Sequence, residues 1–205
     1  MRVFFVYLWF KILVFMFEGY RVFVRKYRLE SLVDVMVFGV IIYVFHWLWW
    51  SGGLKGFLLD YTNFHGLEIF MAEQVFVPSA WFVKHVIGYD INTYATTLYF
   101  LPDKGYIEVN GSCSGLKQFY QWIFLMVLFP GPWKRKLWFI PLGLVVIHLD
   151  NILRIIILSV VLVHWPDQWH FVHDWILRPF FYVVIFALWV LWVEKVGKRG
   201  KVVGG

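Results

Sequence analysis

Residues 137–163 form an apolar run whose only ionisable positions are His148, Asp150 and Arg154. A helix needs about 20 mostly apolar residues to cross a hydrocarbon core roughly 30 Å thick. Three further stretches, 32–50, 114–131 and 175–193, meet the same requirement. Lipid offers no partner to a backbone N–H or C=O, so runs of this kind are expected to cross as helices. The rest of the chain agrees: 61% of its residues are hydrophobic, against about 45–50% in a soluble domain. One water-facing core of this size cannot hide that excess. The 13 Trp and 11 Tyr suit the headgroup level, where such rings collect.

Charge sets the expected orientation. The net charge of +6 is not spread over a polar face, as nucleic-acid binding would require. It is concentrated in short runs: Arg21, Arg25, Lys26 and Arg28; Lys134, Arg135 and Lys136; Lys195, Lys198, Arg199 and Lys201. Basic runs between apolar stretches mark cytoplasmic loops. The spans then alternate outward, inward, outward and inward, which places 51–112 on the outer face. The fold expected is an all-α polytopic membrane protein, a helical bundle of four to six membrane helices in one domain over 1–205. Within it, 1–31 is an N-terminal helix plus a basic cytoplasmic segment, 51–112 is extracytoplasmic and 113–195 carries the site.

Two segments are less regular. Residues 3–17 are apolar but contain Lys11, and both an interfacial helix and a tilted extra span fit them. No small-residue cleavage site follows, so a cleavable signal peptide is not expected. Residues 64–88 carry Glu68, Glu73, Pro78 and Lys84 among apolar neighbours and read as an amphipathic segment on the membrane surface. Beyond it, Thr93–Phe100 and Tyr106–Asn110 are rich in β-branched and aromatic residues. They flank Leu101-Pro102-Asp103-Lys104-Gly105, which predicts a small β-hairpin outside the bilayer.

The topology brings three reactive groups to one membrane surface. Cys113 precedes the second span, Arg154 lies late in the third, and His173 opens the fourth, with His170 just before it. A thiol attacks once an imidazole takes its proton, and a fixed guanidinium stabilises the oxyanion of acyl transfer. The set calls for no cofactor and no metal. Each member has a plainer reading: inert packing for Cys113, snorkelling or pairing with Asp150 for Arg154, and an interfacial ring for His173, with His164, His170 and Asp174 as competing neighbours. Cys113, the one cysteine of the chain, forms no internal disulfide. It lies in Asn110-Gly111-Ser112-Cys113-Ser114-Gly115, a small-residue turn that a substrate backbone can approach and that opens a helix, whose N-terminus lowers a thiol pKa. Asn151 and Asp150 precede Arg154 by three and four positions, on the same helix face, and either can orient the guanidinium.

Cys113-Ser114-Gly115-Leu116 opening a span, Asn151-Ile152-Leu153-Arg154 late in the next and His173 opening the one after resemble the exosortase/archaeosortase family, over about residues 50–195. The pattern is similar to the family's short single-domain members of the Bacteroidetes type. The resemblance implies a cysteine transpeptidase or protease in the bacterial inner membrane, its active site facing the periplasm. Its substrates would be exported proteins with a C-terminal sorting motif, a transmembrane helix and a basic tail, cleaved through a thioacyl intermediate and passed to a surface acceptor. Carried over by position, Cys113 is the nucleophile, Arg154 stabilises the oxyanion or positions substrate, and His173 carries the proton. Ser114, Gly115, Asn151, Asp150 and His170 are the supporting candidates. His170 is the alternative to His173, which is preferred because it directly opens the last span. The rival class is a non-catalytic membrane scaffold or transporter subunit in which Arg154 is paired structurally. Lipid is a partner on either reading; nucleic acid is not.

Overall fold

The computed structural model describes residues 30–51, 53–61, 64–102 and 104–196. The stretch 3–17, the N-terminal basic residues Arg21 to Arg28, the C-terminal Lys198, Arg199 and Lys201, and Asp103 lie outside the described residues. The chain divides into two compact units, 1–44 and 45–205. Of the first, the structure describes the leading part of helix α1 (Glu30–Trp50). The second holds the end of α1, then α2 (Leu54–Tyr61), α3 (Phe64–Phe82), a sheet of β1 (Ile91–Tyr94), β2 (Thr97–Phe100) and β3 (Tyr106–Glu108), α4 (Leu116–Leu128), α5 (Trp133–His164) and α6 (Pro166–Val196). Among the described residues, Ser31–Trp50 of α1, α5 and α6 are long and apolar enough to cross a membrane. The protein is an all-α membrane protein carrying one small sheet.

The second apolar stretch is shorter as a helix than as a sequence. α4 has 13 residues, about 20 Å at the usual rise. Gly115, left-handed at φ 78°, sets its start. Its end falls at Phe129, whose extended backbone leads into Pro130 and Pro132. The carbonyls exposed there are not left bare. Lys136 is buried and donates from Nζ to the carbonyl oxygens of Phe129 (2.6 Å) and Val127 (3.3 Å). Arg135 donates from Nη1 to the carbonyl of Val196 at the end of α6, at 2.5 Å. Part of the basic cluster at 134–136 therefore closes helix ends, where cations are favoured.

α3, within the segment read as amphipathic, packs one face against the rest of the protein. Phe64, Ala72, Val75, Phe76 and Ser79 are buried along it, the three-to-four spacing of one helix face. Ser79 Oγ donates to the carbonyl of Val75 at 2.7 Å and approaches that of Ile152 on α5 at 3.4 Å. Ile69, Phe70, Val77 and Trp81 on other faces stay exposed. Past Phe82 the helix widens over Val83–Ile87 and stops at left-handed Gly88.

Three strands stand where a two-stranded hairpin was expected. The run from Thr93 to Phe100 folds back on itself at Ala95, which adopts φ 49°, so β1 pairs antiparallel with β2, and β2 with β3. Ile91, Leu98, Phe100 and Ile107 of the sheet and Val109 beyond it are buried with Val75 and Phe76 of α3, Ile155 and Leu158 of α5, and Leu177 of α6. The sheet is thus fastened to the helices rather than hung from them.

Close helix approach needs Gly143 on α5. A Cβ there would overlap the indole of Trp122 on α4, and that ring is buried and donates from Nε1 to the carbonyl of Ile140 at 3.1 Å. Small residues allow this kind of approach between membrane helices. Gly143→Ala is expected to destabilise the protein by about 1–3 kcal/mol, the usual cost of overpacking. Thermal unfolding in detergent checks this, and an unchanged midpoint would show that the α4–α5 contact is slack.

Candidate active site

The residues that precede Cys113 fold into a tight turn held by their own side chains. Asn110 Oδ1 accepts from the Ser112 backbone N–H at 3.1 Å and from Ser112 Oγ at 2.6 Å, while the Cys113 N–H donates to the Asn110 carbonyl at 2.9 Å. Buried Ser114 donates from Oγ to the Gly111 carbonyl at 2.6 Å and accepts from the Leu116 N–H at 3.2 Å. Gly111–Cys113 forms one 3-10 turn. Cys113 therefore lies three positions before α4 in the turn that opens it, as the sequence suggested, separated from the helix by left-handed Gly115.

Two glycines let neighbours reach this turn. A Cβ at Gly115 would lie 3.0 Å from Nδ2 of Asn151, and one at Gly111 would lie 3.1 Å from a carboxylate oxygen of Glu68 on α3. Asn151, buried on α5, donates from Nδ2 to the Cys113 carbonyl at 2.7 Å. The expectation that Asn151 orients Arg154 gives way to a different contact: Asn151 ties the cysteine turn to the helix that carries the arginine. Asp150 does not hold the guanidinium either, since the ion pairs among the described residues do not include it and its Oδ2 is buried without a hydrogen-bond partner. It shares a small recess with Arg154, Leu153, Ile157, Leu177 and Phe180.

Arg154 is buried and donates from Nη2 to Nε2 of His173 at 2.8 Å. A guanidinium offers only donors, so Nε2 is the acceptor and the ring proton sits on Nδ1. Nδ1 in turn donates to Oδ1 of Asp174 at 2.6 Å, and Arg178 Nη1 holds the same oxygen at 3.1 Å. Trp169 stacks on the imidazole with centroids 4.9 Å apart and planes within 7°. The His173 ring is thus fixed in tautomer by hydrogen bonds and in plane by an indole. His170 is exposed, its ring meeting Trp169 edge-on, and His164 bonds the Tyr89 hydroxyl at 3.0 Å. The structure brings His173, not these two, to Arg154.

The local helix geometry explains the placement. Val172–Leu177 is a wider, π-type stretch of α6 that ends two residues before Pro179. Proline lacks an N–H and crowds the carbonyl four residues back, and a widened turn absorbs that mismatch. His173 and Asp174, neighbours in sequence, lie in this stretch.

Cys113, Arg154 and His173 line one cavity of about 490 Å³, together with Lys117 and Arg178. A second recess of about 300 Å³ also reaches Cys113 and His173, from the side of the sheet. The pair stands between the two. Sequence reasoning had treated Asp174 only as a competitor of His173, and it passed over Arg178, Lys117 and Glu68. The four-residue spacing of Asp174 to Arg178 was the available signal.

A helical membrane protein with a thiol, an imidazole and a buried guanidinium on one cavity defines the class. The model of the transmembrane exosortases matches residues 3–190, and the chain belongs to that family. The match extends well N-terminal of the stretch on which the resemblance rested. The family is associated with processing of sorting signals. No curated protein and no solved structure matches the chain.

Asn151→Leu keeps the side chain's bulk and deletes the bond to the Cys113 carbonyl. It leaves a half-buried acceptor unpaired, a cost of about 1 kcal/mol, and should lower the unfolding midpoint in detergent. A midpoint equal to wild type would mean that the turn holds without α5.

Proposed function

We propose that the protein is a cysteine peptidase or transpeptidase that cleaves a sorting signal near the C-terminus of exported proteins. The observation that carries this reading is the chain Arg154–His173–Asp174, held at hydrogen-bond distance on the cavity that contains Cys113. The residue set matches the chemistry of acyl transfer through a thioester.

The steps follow from the hydrogen bonds. In the free protein the Nε2 lone pair of His173 is occupied by Arg154. An incoming peptide carbonyl offers the guanidinium a better acceptor, and Arg154 Nε, buried without a partner, has donor capacity to spend. As Arg154 turns to the carbonyl oxygen, Nε2 is released and takes the thiol proton. The sulfur bonds to the carbonyl carbon, and the oxyanion forms against a guanidinium already in place, where fixed charge is most effective. The imidazolium keeps its Nδ1–H on Asp174 and returns the Nε2 proton to the leaving amine as the C–N bond breaks. Water or an acceptor amine then attacks the thioester, gives its proton to Nε2, and restores the thiol.

Orientation follows from the same helices. Arg135 and Arg154 stand 19 positions apart on α5, about 28 Å along the axis. The basic end and the site end are therefore at opposite ends of the helices. With the basic end cytoplasmic, the cavity opens to the periplasmic side of the inner membrane, where an exported substrate anchored by its own C-terminal helix and basic tail presents its sorting motif.

Cys113→Ala is expected to abolish cleavage of such a substrate, co-expressed in cells, while the variant still inserts and folds; retained cleavage ends the peptidase reading. Arg154→Lys supplies a point charge in place of a planar fork and should lower the rate by about 100-fold or more. Asp174→Asn can offer Nδ1 an N–H instead of an acceptor and should lose about 10²–10⁴-fold with folding unimpaired. A membrane-impermeant thiol reagent added from the periplasmic side should label Cys113; labelling from the cytoplasmic side alone would reverse the orientation.

A further inference from the structure

Strand β3 ends the sheet, in the order β1-β2-β3. Its backbone bonds to β2 run through alternate residues. The Phe100 N–H donates to the Gly105 carbonyl at 3.0 Å, the Val109 N–H donates to the Thr96 carbonyl at 2.9 Å, and Ile107 sits opposite Leu98. In an antiparallel ladder the intervening residues point their N–H and C=O the other way. Tyr106 and Glu108 therefore direct theirs out of the sheet. Their side chains are exposed while Ile107 between them is buried. A strand edge of this kind pairs readily with another extended chain.

What lies along the edge says which chain. The recess beside β3 is floored by Ile155 and Leu158 of α5, walled by Trp169 of α6, and runs to Cys113 and His173. We infer that an extended segment of the peptide substrate adds to the sheet as a fourth strand on Tyr106–Glu108, setting an apolar side chain into this recess and its scissile carbonyl at Cys113. Backbone pairing supplies the hold, and the recess selects the side chain, the division found wherever peptides dock by strand addition. The inference rests on the peptidase reading and deepens it. The occupant is a peptide, because the edge offers alternating donors and acceptors and the recess continues to the nucleophile. A lipid tail would use the apolar floor and ignore the strand.

Proline substitution isolates the edge. Glu108→Pro removes one outward N–H without touching a bond to β2, a position where strands accept proline. Thr93→Pro is the control, since the Leu101 N–H donates to the Asp90 carbonyl at 3.0 Å, which by the same alternation turns Thr93 outward on the opposite edge. The probe is an acetylated tetrapeptide of alternating valine and threonine ending in a chloromethyl ketone, compared with iodoacetamide on the full chain in detergent. Cys113 should react faster with the peptide probe than with its untailored acetyl-amino-acid analogue. Glu108→Pro should slow peptide labelling by about tenfold, the size of one lost hydrogen bond. Iodoacetamide labelling and the Thr93→Pro variant should remain at wild-type rates. Peptide labelling that is not accelerated, or that is indifferent to Glu108→Pro, overturns the inference, as it would if another part of this chain or a second copy covered the edge. The two readings separate cleanly. Cleavage lost in Cys113→Ala with labelling indifferent to Glu108→Pro removes the edge and keeps the peptidase. Edge-dependent labelling with cleavage retained in Cys113→Ala does the reverse.

Discussion

The site depends on a guanidinium placed where charge is expensive. Arg154 lies far along a membrane-length helix and is 8% exposed; at bilayer depth such a charge costs at least about 2.5–3.5 kcal/mol. The nearby carboxylate of Asp150 makes no ion pair with it among the described residues. A neutral imidazole relieves that cost through one bond from Nη2, and the imidazole is itself braced by Asp174 and Trp169. A buried cation satisfied by a neutral acceptor keeps its full charge for whatever anion develops beside it. Pairing with Asp150 would have spent it. That distinction separates an arginine kept for chemistry from one kept for packing.

This arrangement also reconciles two roles that compete for one atom. If His173 is to take a proton through Nε2, the lone pair must be free, yet Arg154 holds it. On the proposed mechanism the hold would make the base available only when the guanidinium has somewhere better to go, and a peptide carbonyl on the way to an oxyanion is such a place. In that mechanism, coupling of this kind ties activation of the sulfur to the arrival of the right group.

Much of this was legible in the residues. The apolar runs announced α1, α5 and α6, because hydropathy over twenty positions is a strong signal. The order of Cys113, Arg154 and His173 along alternating spans placed them at one end of the molecule. What stayed hidden depends on contacts that carry no local signature. Asn151 and Asp150 sit correctly on the face of Arg154, but spacing alone could not show that Asn151 turns to the Cys113 carbonyl and that Asp150 makes no ion pair with the guanidinium. The fold-back at Ala95 was missed because alanine is an unusual choice at positive φ. The 13 residues of α4 were overcounted because Phe129 and the prolines after it are as apolar as the helix they end.

The two recesses beside Cys113 have a single origin in α5. Asn151 and Arg154 are three residues apart and share one stripe of that helix; Ile155 and Leu158 are three apart and share another. Corresponding positions of the two stripes are four residues apart, about 40° around the axis, so neighbouring strips of one helix face present hydrogen-bonding groups to the cysteine turn and to His173 and an apolar floor to the sheet. The Cys113–His173 pair stands where the stripes meet, with the fixed charge on one side and the strand edge on the other. A substrate held along the edge would meet the guanidinium only at its reacting carbonyl. Binding and charge stabilisation can then be separate tasks, and the interaction with Arg154 is reserved for the atoms that change.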